Sequence, residues 1–260
     1  MGALYGNLEV HQFLCLEDNY GYLLHDHNTG YTACIDTPET AAIEKALAET
    51  GWTLTHIFNT HHHFDHAGCN LELKEKTGAV IVGARCDATR IPGIDIQLSN
   101  EDNYLFGKTK LKVLETPGHT SGHIVFYFAE AGIAFVGDTL FSLGCGRLFE
   151  GSADQMWESL QKLLELPDDT VIFCAHEYTE ANARFALTVD QDNPDLARRV
   201  AQIEALRAEH QPTIPTTIGL ERKTNPFLRP NDKAIRDAVG LPGADDTDVF
   251  AEVRRLKDNF

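Results

Sequence analysis

Strand signals crowd the first two thirds of this chain and stop at residue 176. Nine short runs of β-branched and aromatic residues, bounded by Gly, Asn and Asp, read as strands: 8–13, 21–25, 32–35, 56–59, 80–82, 111–115, 124–128, 133–136 and 171–174. Few helical stretches lie between them. Ala42, Ile43, Ala46 and Leu47 form one apolar stripe after Thr37-Pro38, and Gly51 stops it. Ser152 with Gln155 matches a capping box, after which Met156, Trp157, Leu160, Leu163 and Leu164 recur at helical spacing until Pro167. Many strands with few crossovers predict an α/β arrangement of two sheets packed face to face with helices outside. Beyond residue 176 only helical patterns remain, at 181–188, 195–210, 232–239 and 246–258, interrupted by a loop bearing Pro212, Pro215, Pro226 and Pro230. The predicted division is therefore 1–175, mixed α/β, and 176–260, a small helical domain.

Composition narrows the function classes. With 43% hydrophobic and 23% charged residues in 260, the chain can bury a sizeable core and is neither low-complexity nor collagen-like. Its formal net charge of −17 repels phosphate backbones, which argues against a nucleic-acid partner. No apolar run approaches the ~20 residues of a membrane span. The first 20 residues lack Lys and Arg and include Glu9, Glu17 and Asp18, unlike a secretory or transit leader, and Gly6 breaks the myristoylation pattern. A cytoplasmic protein without a membrane partner is expected. The six cysteines form no C-x-x-C pair and read as free thiols. Charge is uneven: residues 177–260 carry 12 of the 22 Lys and Arg.

Chemistry concentrates in the histidines, seven of the twelve falling in three short segments that each follow a predicted strand. In Thr60-His61-His62-His63-Phe64-Asp65-His66, side chains two apart share a face, so His61, His63 and Asp65 can converge. His66 joins them where the chain turns into a helix near Asp65, and His62 points the opposite way. Pro117-Gly118-His119-Thr120-Ser121-Gly122-His123 sets His119 between glycines that allow close approach, whereas His123 and Cys69 read as packing residues. Asp138 and His176 each end a hydrophobic run, where loops hold reactive groups. Four coordinating side chains within six residues are unfavourable without a cation, and imidazole with carboxylate suits Zn, Fe or Mn. Seven donors exceed one catalytic site, which keeps three protein ligands and an open position. Two sites use them all: His61, His63 and His119 for one metal, Asp65, His66 and His176 for the other, and Asp138 bridging, with room for a bridging hydroxide as nucleophile. Paired metals about 3.5–4 Å apart serve assisted hydrolysis.

The pattern His61-x-His63-x-Asp65-His66 with His119, Asp138 and His176 in order resembles the metallo-β-lactamase superfamily, which implies an αββα sandwich with metals at one edge of its sheets. Gly137-Asp138-Thr139-Leu140-Phe141 leading to Gly144-Cys145-Gly146-Arg147 is similar to the glyoxalase II (hydroxyacylglutathione hydrolase) family. So are His176-Glu177-Tyr178-Thr179, Asn182, Asn225-Pro226-Phe227 and Arg254-Arg255-x-Lys257-Asp258-x-Phe260, and the likeness spans nearly the whole chain. It implies a catalytic domain, a helical substrate-binding domain and two divalent metals, zinc first, with iron or manganese as alternatives. It implies hydrolysis of a small-molecule glutathione thioester, S-D-lactoylglutathione, to glutathione and D-lactate in methylglyoxal detoxification, by a monomer. Asp65 and Asp138 would be catalytic, and Arg147, Tyr178, Asn182, Arg254 and Lys257 would contact glutathione. Phe149 stands where family members may carry Tyr. Independently, glutathione carries two carboxylates, so an acidic protein needs local cations such as those of the tail. A thiolate whose acid has pKa near 8.5 leaves without a strong general acid. The competing expectation is a mononuclear iron persulfide dioxygenase of the same fold, which needs only two His and one Asp.

Overall fold

The computed structural model describes residues 2–100 and 102–260. They fall into two compact units, one running up to Glu115 and adding Ser121–Gly137, the other formed by Thr116–Thr120 with Asp138–Phe260.

In the first unit, seven strands lie side by side in chain order: Ala3–Tyr5, Leu8–Cys15, Asn19–Asp26, Tyr31–Ile35, His56–Phe58, Val80–Ala84 and Ile96–Leu98. The first four pair antiparallel and the rest parallel, because from Ile35 onward helices cross back between strands. Four further strands, Asn103–Phe106, Thr109–Glu115, Ile124–Phe128 and Ile133–Gly137, form an antiparallel meander. The two layers meet through aromatic rings, Phe58 on Phe126 at 5.2 Å and Tyr22 on Phe135 at 5.6 Å. Each such buried ring contributes about 1.5–3 kcal/mol of apolar transfer. On the other face of the first sheet Leu23, Cys34, Ile57 and Ile81 pack with Ile43, Ala46 and Leu73 of the helices Thr40–Thr50 and Asn70–Thr77. Strands covered on both faces read as unbroken apolar runs, as Val80–Ala84 does.

The second unit opens its long helices with Ala153–Leu164. Its capping box is formed as expected: Gln155 N–H donates to Ser152 Oγ at 3.3 Å and Ser152 N–H to Gln155 Oε1 at 3.0 Å. Met156, Trp157, Leu160 and Leu163 are its buried stripe. After the strand Val171–Cys174 come the helices Thr179–Val189, Pro194–Ala208, Ile218–Thr224, Lys233–Ala238 and Asp246–Asp258.

Several local expectations are corrected. The helix expected after Thr37-Pro38 begins only at Thr40 with Glu39 as its flanking residue, and the Thr37 hydroxyl donates to Asn70 Oδ1 at 2.7 Å. The strand signal does not end at 176: Thr216–Thr217 pairs antiparallel with Val171–Ile172. The proline-bearing loop contains the helix Ile218–Thr224, started by Leu220 N–H on Thr217 Oγ1. A seven-residue helix and a two-residue strand are too short to leave a period in sequence. None of the six cysteines is joined in a disulfide, and burial pushes the Cys145 thiol up to about 11.

Candidate metal centre

The first unit carries one set of donors on the turn between the strand His56–Phe58 and the short helix Phe64–Ala67. Asp36, at φ 58° just past the strand Tyr31–Ile35, organises this turn. It accepts from Thr60 N–H at 2.7 Å and from Thr60 Oγ1–H at 2.8 Å. His66 Nδ1 lies 2.8 Å from Asp36 Oδ2, and since a carboxylate only accepts, that nitrogen carries the proton and Nε2 is left as a donor atom. Thr60 gives its hydroxyl hydrogen to Asp36, so its oxygen accepts from His61 Nδ1 at 3.1 Å. One aspartate thereby sets the tautomer of two histidines, directly and through Thr60. Asn59 Nδ2 holds His66 O at 2.8 Å, and Asn19 Nδ2 reaches Asp65 Oδ2 at 3.2 Å. His62 turns away to Asp87 Oδ2 at 3.0 Å, and His123 stacks on His61 at 4.9 Å.

Two donor pairs result. His61 Nε2 and His63 Nδ1 stand 3.0 Å apart, and His66 Nε2 and Asp65 Oδ2 stand 3.3 Å apart.

The second unit presents His119, Asp138 and His176. Gly118, at φ 152°, carries the chain into His119 where a Cβ would stand 2.8 Å from Met156 Cβ. Gly146 is required for the same reason of space, since its Cβ would lie 2.0 Å from Asp138 O. His119 Nδ1 donates to Arg147 O at 2.9 Å, which leaves Nε2 as the donor atom. His176 follows the strand Val171–Cys174, its ring parallel to that of Tyr178 within 2° at 4.8 Å. The Asp138 carboxylate divides evenly: Oδ2 is 3.4 Å from His119 Nε2 and Oδ1 is 3.4 Å from His176 Nε2.

These separations test whether a metal fits. With ligands about 2.0–2.1 Å from a tetrahedral metal, neighbouring donor atoms stand roughly 3.3 Å apart. Both units offer His and carboxylate pairs at that spacing, with the rings of His61, His66 and His119 already tautomerised for coordination. A direct N–H···O bond is usually shorter than 3.2 Å. The donor sets fit metal ions of the borderline-hard kind that imidazole and carboxylate bind.

The residues named for substrate contact all lie in the second unit. Arg147 is exposed and Tyr178 is 37% exposed. Asn182 is buried with its amide on Ser142 O at 3.1 Å. Arg254, 5% exposed, donates to Cys145 O at 2.9 Å and Asp258 Oδ1 at 2.8 Å. Lys257 lies near Phe185 and Phe260 and donates to Ala181 O at 3.2 Å. Burial, then the positive charges of Arg254, Arg184 and Arg147, push the Lys257 ammonium down to about 8, with Asp258 opposing. Arg255 pairs instead with Glu252 at 2.7 Å. Arg184 is a cation that sequence reading missed, and Asp36 a positioning carboxylate that it missed. Asp36 ends an apolar run as Asp138 does, and that signal could have found it.

Removing the Asp36 carboxylate tests the first set. Asp36→Ala is expected to weaken metal retention by about 10–100-fold, as loss of groups that orient metal ligands generally does. Competition with a chromogenic chelator reads this directly.

Layered sheets and a His/Asp donor set define a class. Residues 22–176 match the model of the metallo-beta-lactamase superfamily, and residues 177–260 match the model described as hydroxyacylglutathione hydrolase C-terminus. A hydroxyacylglutathione hydrolase from Maricaulis maris is 55% identical over 253 residues, 97% of this chain and 99% of the relative. Among solved structures, ETHE1 from Myxococcus xanthus superposes with a TM-score of 0.68 at 27% identity, over 95% of this chain and 89% of that one. TTHA1623, solved in a di-iron-bound form, has a TM-score of 0.61 at 25% identity, over 84% of this chain and 99% of that one. The chain belongs to the hydroxyacylglutathione hydrolase family of the metallo-β-lactamase superfamily. It is accordingly a metal-binding hydrolase of the metallo-β-lactamase fold, closed by a helical C-terminal domain. No helix among the described residues is long and apolar enough to cross a membrane.

Proposed function

We propose that this chain hydrolyses a 2-hydroxyacylglutathione thioester, S-D-lactoylglutathione, to glutathione and D-lactate with two divalent metals, zinc first. In this reading His61, His63 and His119 hold one metal, Asp65, His66 and His176 the other, and Asp138 is shared. The observation that carries it is the even division of the Asp138 carboxylate between His119 and His176 at 3.4 Å each, the disposition expected of a bridging ligand. A relative solved with two irons supports the count. When bound, the metals supply a water acidified to near neutral pH and polarisation of the thioester carbonyl.

The chain's own groups do the rest. Asp36 fixes His66, and through Thr60 fixes His61, so that both Nε2 lone pairs are presented. Asp65, steadied by Asn19, is placed to orient the attacking oxygen. Glutathione is held by Arg147, Tyr178, Asn182, Arg254 and Lys257. The exposed Arg147 and the half-buried Lys257 take its carboxylates, while Asn182 and Arg254 brace the segment from which Arg147 projects. The glutathione sulfur departs as thiolate, needing no protein acid. We divide the chain functionally into 1–175, catalytic, and 176–260, substrate-binding; the change of family model between residues 176 and 177 supports this. A monomeric cytoplasmic enzyme completes the reading.

The test is thiol release from S-D-lactoylglutathione by purified protein, with metal content measured on the same sample. Turnover with a pair of metals per chain is expected, and chelation should abolish it. Absence of turnover by fully metallated protein overturns the substrate. A single iron with oxygen uptake in place of thiol release points to the persulfide dioxygenase alternative.

A further inference from the structure

Between Asp138 and Arg147 lies a hairpin too small to stand alone. Leu140–Phe141 pairs with Gly144–Cys145, and the turn puts Leu143 at φ 59°, a conformation side chains rarely adopt. Two-stranded ribbons are marginal even when longer. What holds this one comes from the last third of the chain.

Its central support is Glu221, a carboxylate with no exposed surface, on the helix Ile218–Thr224. Glu221 Oε2 accepts from Leu143 N–H at 2.8 Å and from Asn225 Nδ2 at 3.0 Å, and Oε1 from Thr216 Oγ1 at 2.6 Å. The Asn225 amide, so aimed, also donates to Phe141 O at 3.2 Å and Gly144 O at 3.0 Å. Arg199 adds a bond to Ser142 Oγ at 3.3 Å. A fully buried carboxylate is costly, and a hydrophobic side chain would fill the same space without that cost. It is well placed to fix Leu143, whose N–H would otherwise be buried unpaired.

We propose that Glu221 is a positioning residue: it fixes the Leu140–Cys145 hairpin and thereby sets Asp138 at one end and Arg147 at the other. Arg147 matters twice, because its carbonyl oxygen holds His119 Nδ1 and its side chain projects to solvent. The inference rests on the roles assigned above to Asp138, His119 and Arg147. It adds that metal grip and glutathione affinity share one support.

The experiment compares Glu221→Gln with Ile235→Val, a buried control on the helix Lys233–Ala238. Gln keeps the size but offers a single acceptor oxygen to groups that now share two. Three readouts are taken: Tm, affinity for S-methylglutathione by calorimetry, and zinc retention against a chelator. Glu221→Gln is expected to weaken both binding functions by about tenfold, in the range found when groups behind metal ligands are lost. Ile235→Val should lower Tm without moving either. If Glu221→Gln binds zinc and S-methylglutathione as the parent does, the positioning role is overturned and Glu221 serves stability alone. Should Glu221→Gln fail to fold, Asn225→Ala decides: it removes the amide that Glu221 aims at Phe141 O and Gly144 O, the other arm by which the carboxylate fixes the hairpin. Weakened zinc retention supports the proposal, and parental retention overturns it. If the parent itself ignores S-methylglutathione, the glutathione reading fails, while zinc retention still tests Glu221.

Discussion

Asp138→Asn is expected to lower kcat by about a thousandfold and to cost the protein part of its metal. The two Asp138 oxygens each face a different imidazole nitrogen at 3.4 Å. An amide keeps one acceptor and turns a donor toward the other side, so one cation loses its anionic partner. Leaving a buried charge without its partner costs about 3–5 kcal/mol. At 1.36 kcal/mol per decade that is roughly a thousandfold in rate. Elemental analysis beside initial rates checks both parts. Asp138→Asn protein with full metal content and near-parental turnover would remove Asp138 from its bridging role.

Lys257→Ala should act on the other kinetic constant. Its ammonium is proposed to meet a glutathione carboxylate without touching the reacting bond, so KM should rise and kcat should change little. Hydrogen bonds to charged groups contribute about 1.5–3 kcal/mol. The group is half exposed to solvent, which screens it, so about a tenfold rise in KM is the reasonable size. A pH signature accompanies it. Burial and the neighbouring arginines lower the Lys257 pKa to about 8, so the free enzyme carries this charge below pH 8 and loses it above. In the parent kcat/KM should therefore fall as pH rises through about 8, and Lys257→Ala should be low throughout and lack that limb. A lowered lysine pKa also means that the side chain favours folding most above its unfolded value of about 10.4 and loses that contribution as pH falls toward 8. An unchanged KM with a collapsed kcat would take Lys257 out of substrate binding.

Much of this was legible in the residues themselves. Helices with a full amphipathic stripe and a cap, such as Ala153–Leu164, announce themselves because burial and capping both leave local marks. Strands such as Ile124–Phe128 do so because both faces are covered. The helix Phe64–Ala67, needed to turn His66 back beside Asp65, followed from the donor spacing. The strand Thr216–Thr217 did not, because its partner lies more than forty residues away at Val171–Ile172 and two residues carry no period. Nor did Glu221 or Arg184, since one carboxylate or guanidinium in a sequence of many has no sign of what it faces.

From the order of its residues alone this chain was bound to gather histidines and aspartates around cations, since so many donors so near one another have no other comfortable use. The strand spacing likewise required layered sheets ahead of a helical tail. Tertiary structure alone chose the atoms. It is long-range hydrogen bonding that puts the proton of His66 and His119 on Nδ1, and it is folding of distant helices onto one small turn that lets Glu221 hold Leu143. Side-chain type is a local property, but the direction in which a lone pair points depends on partners far along the chain.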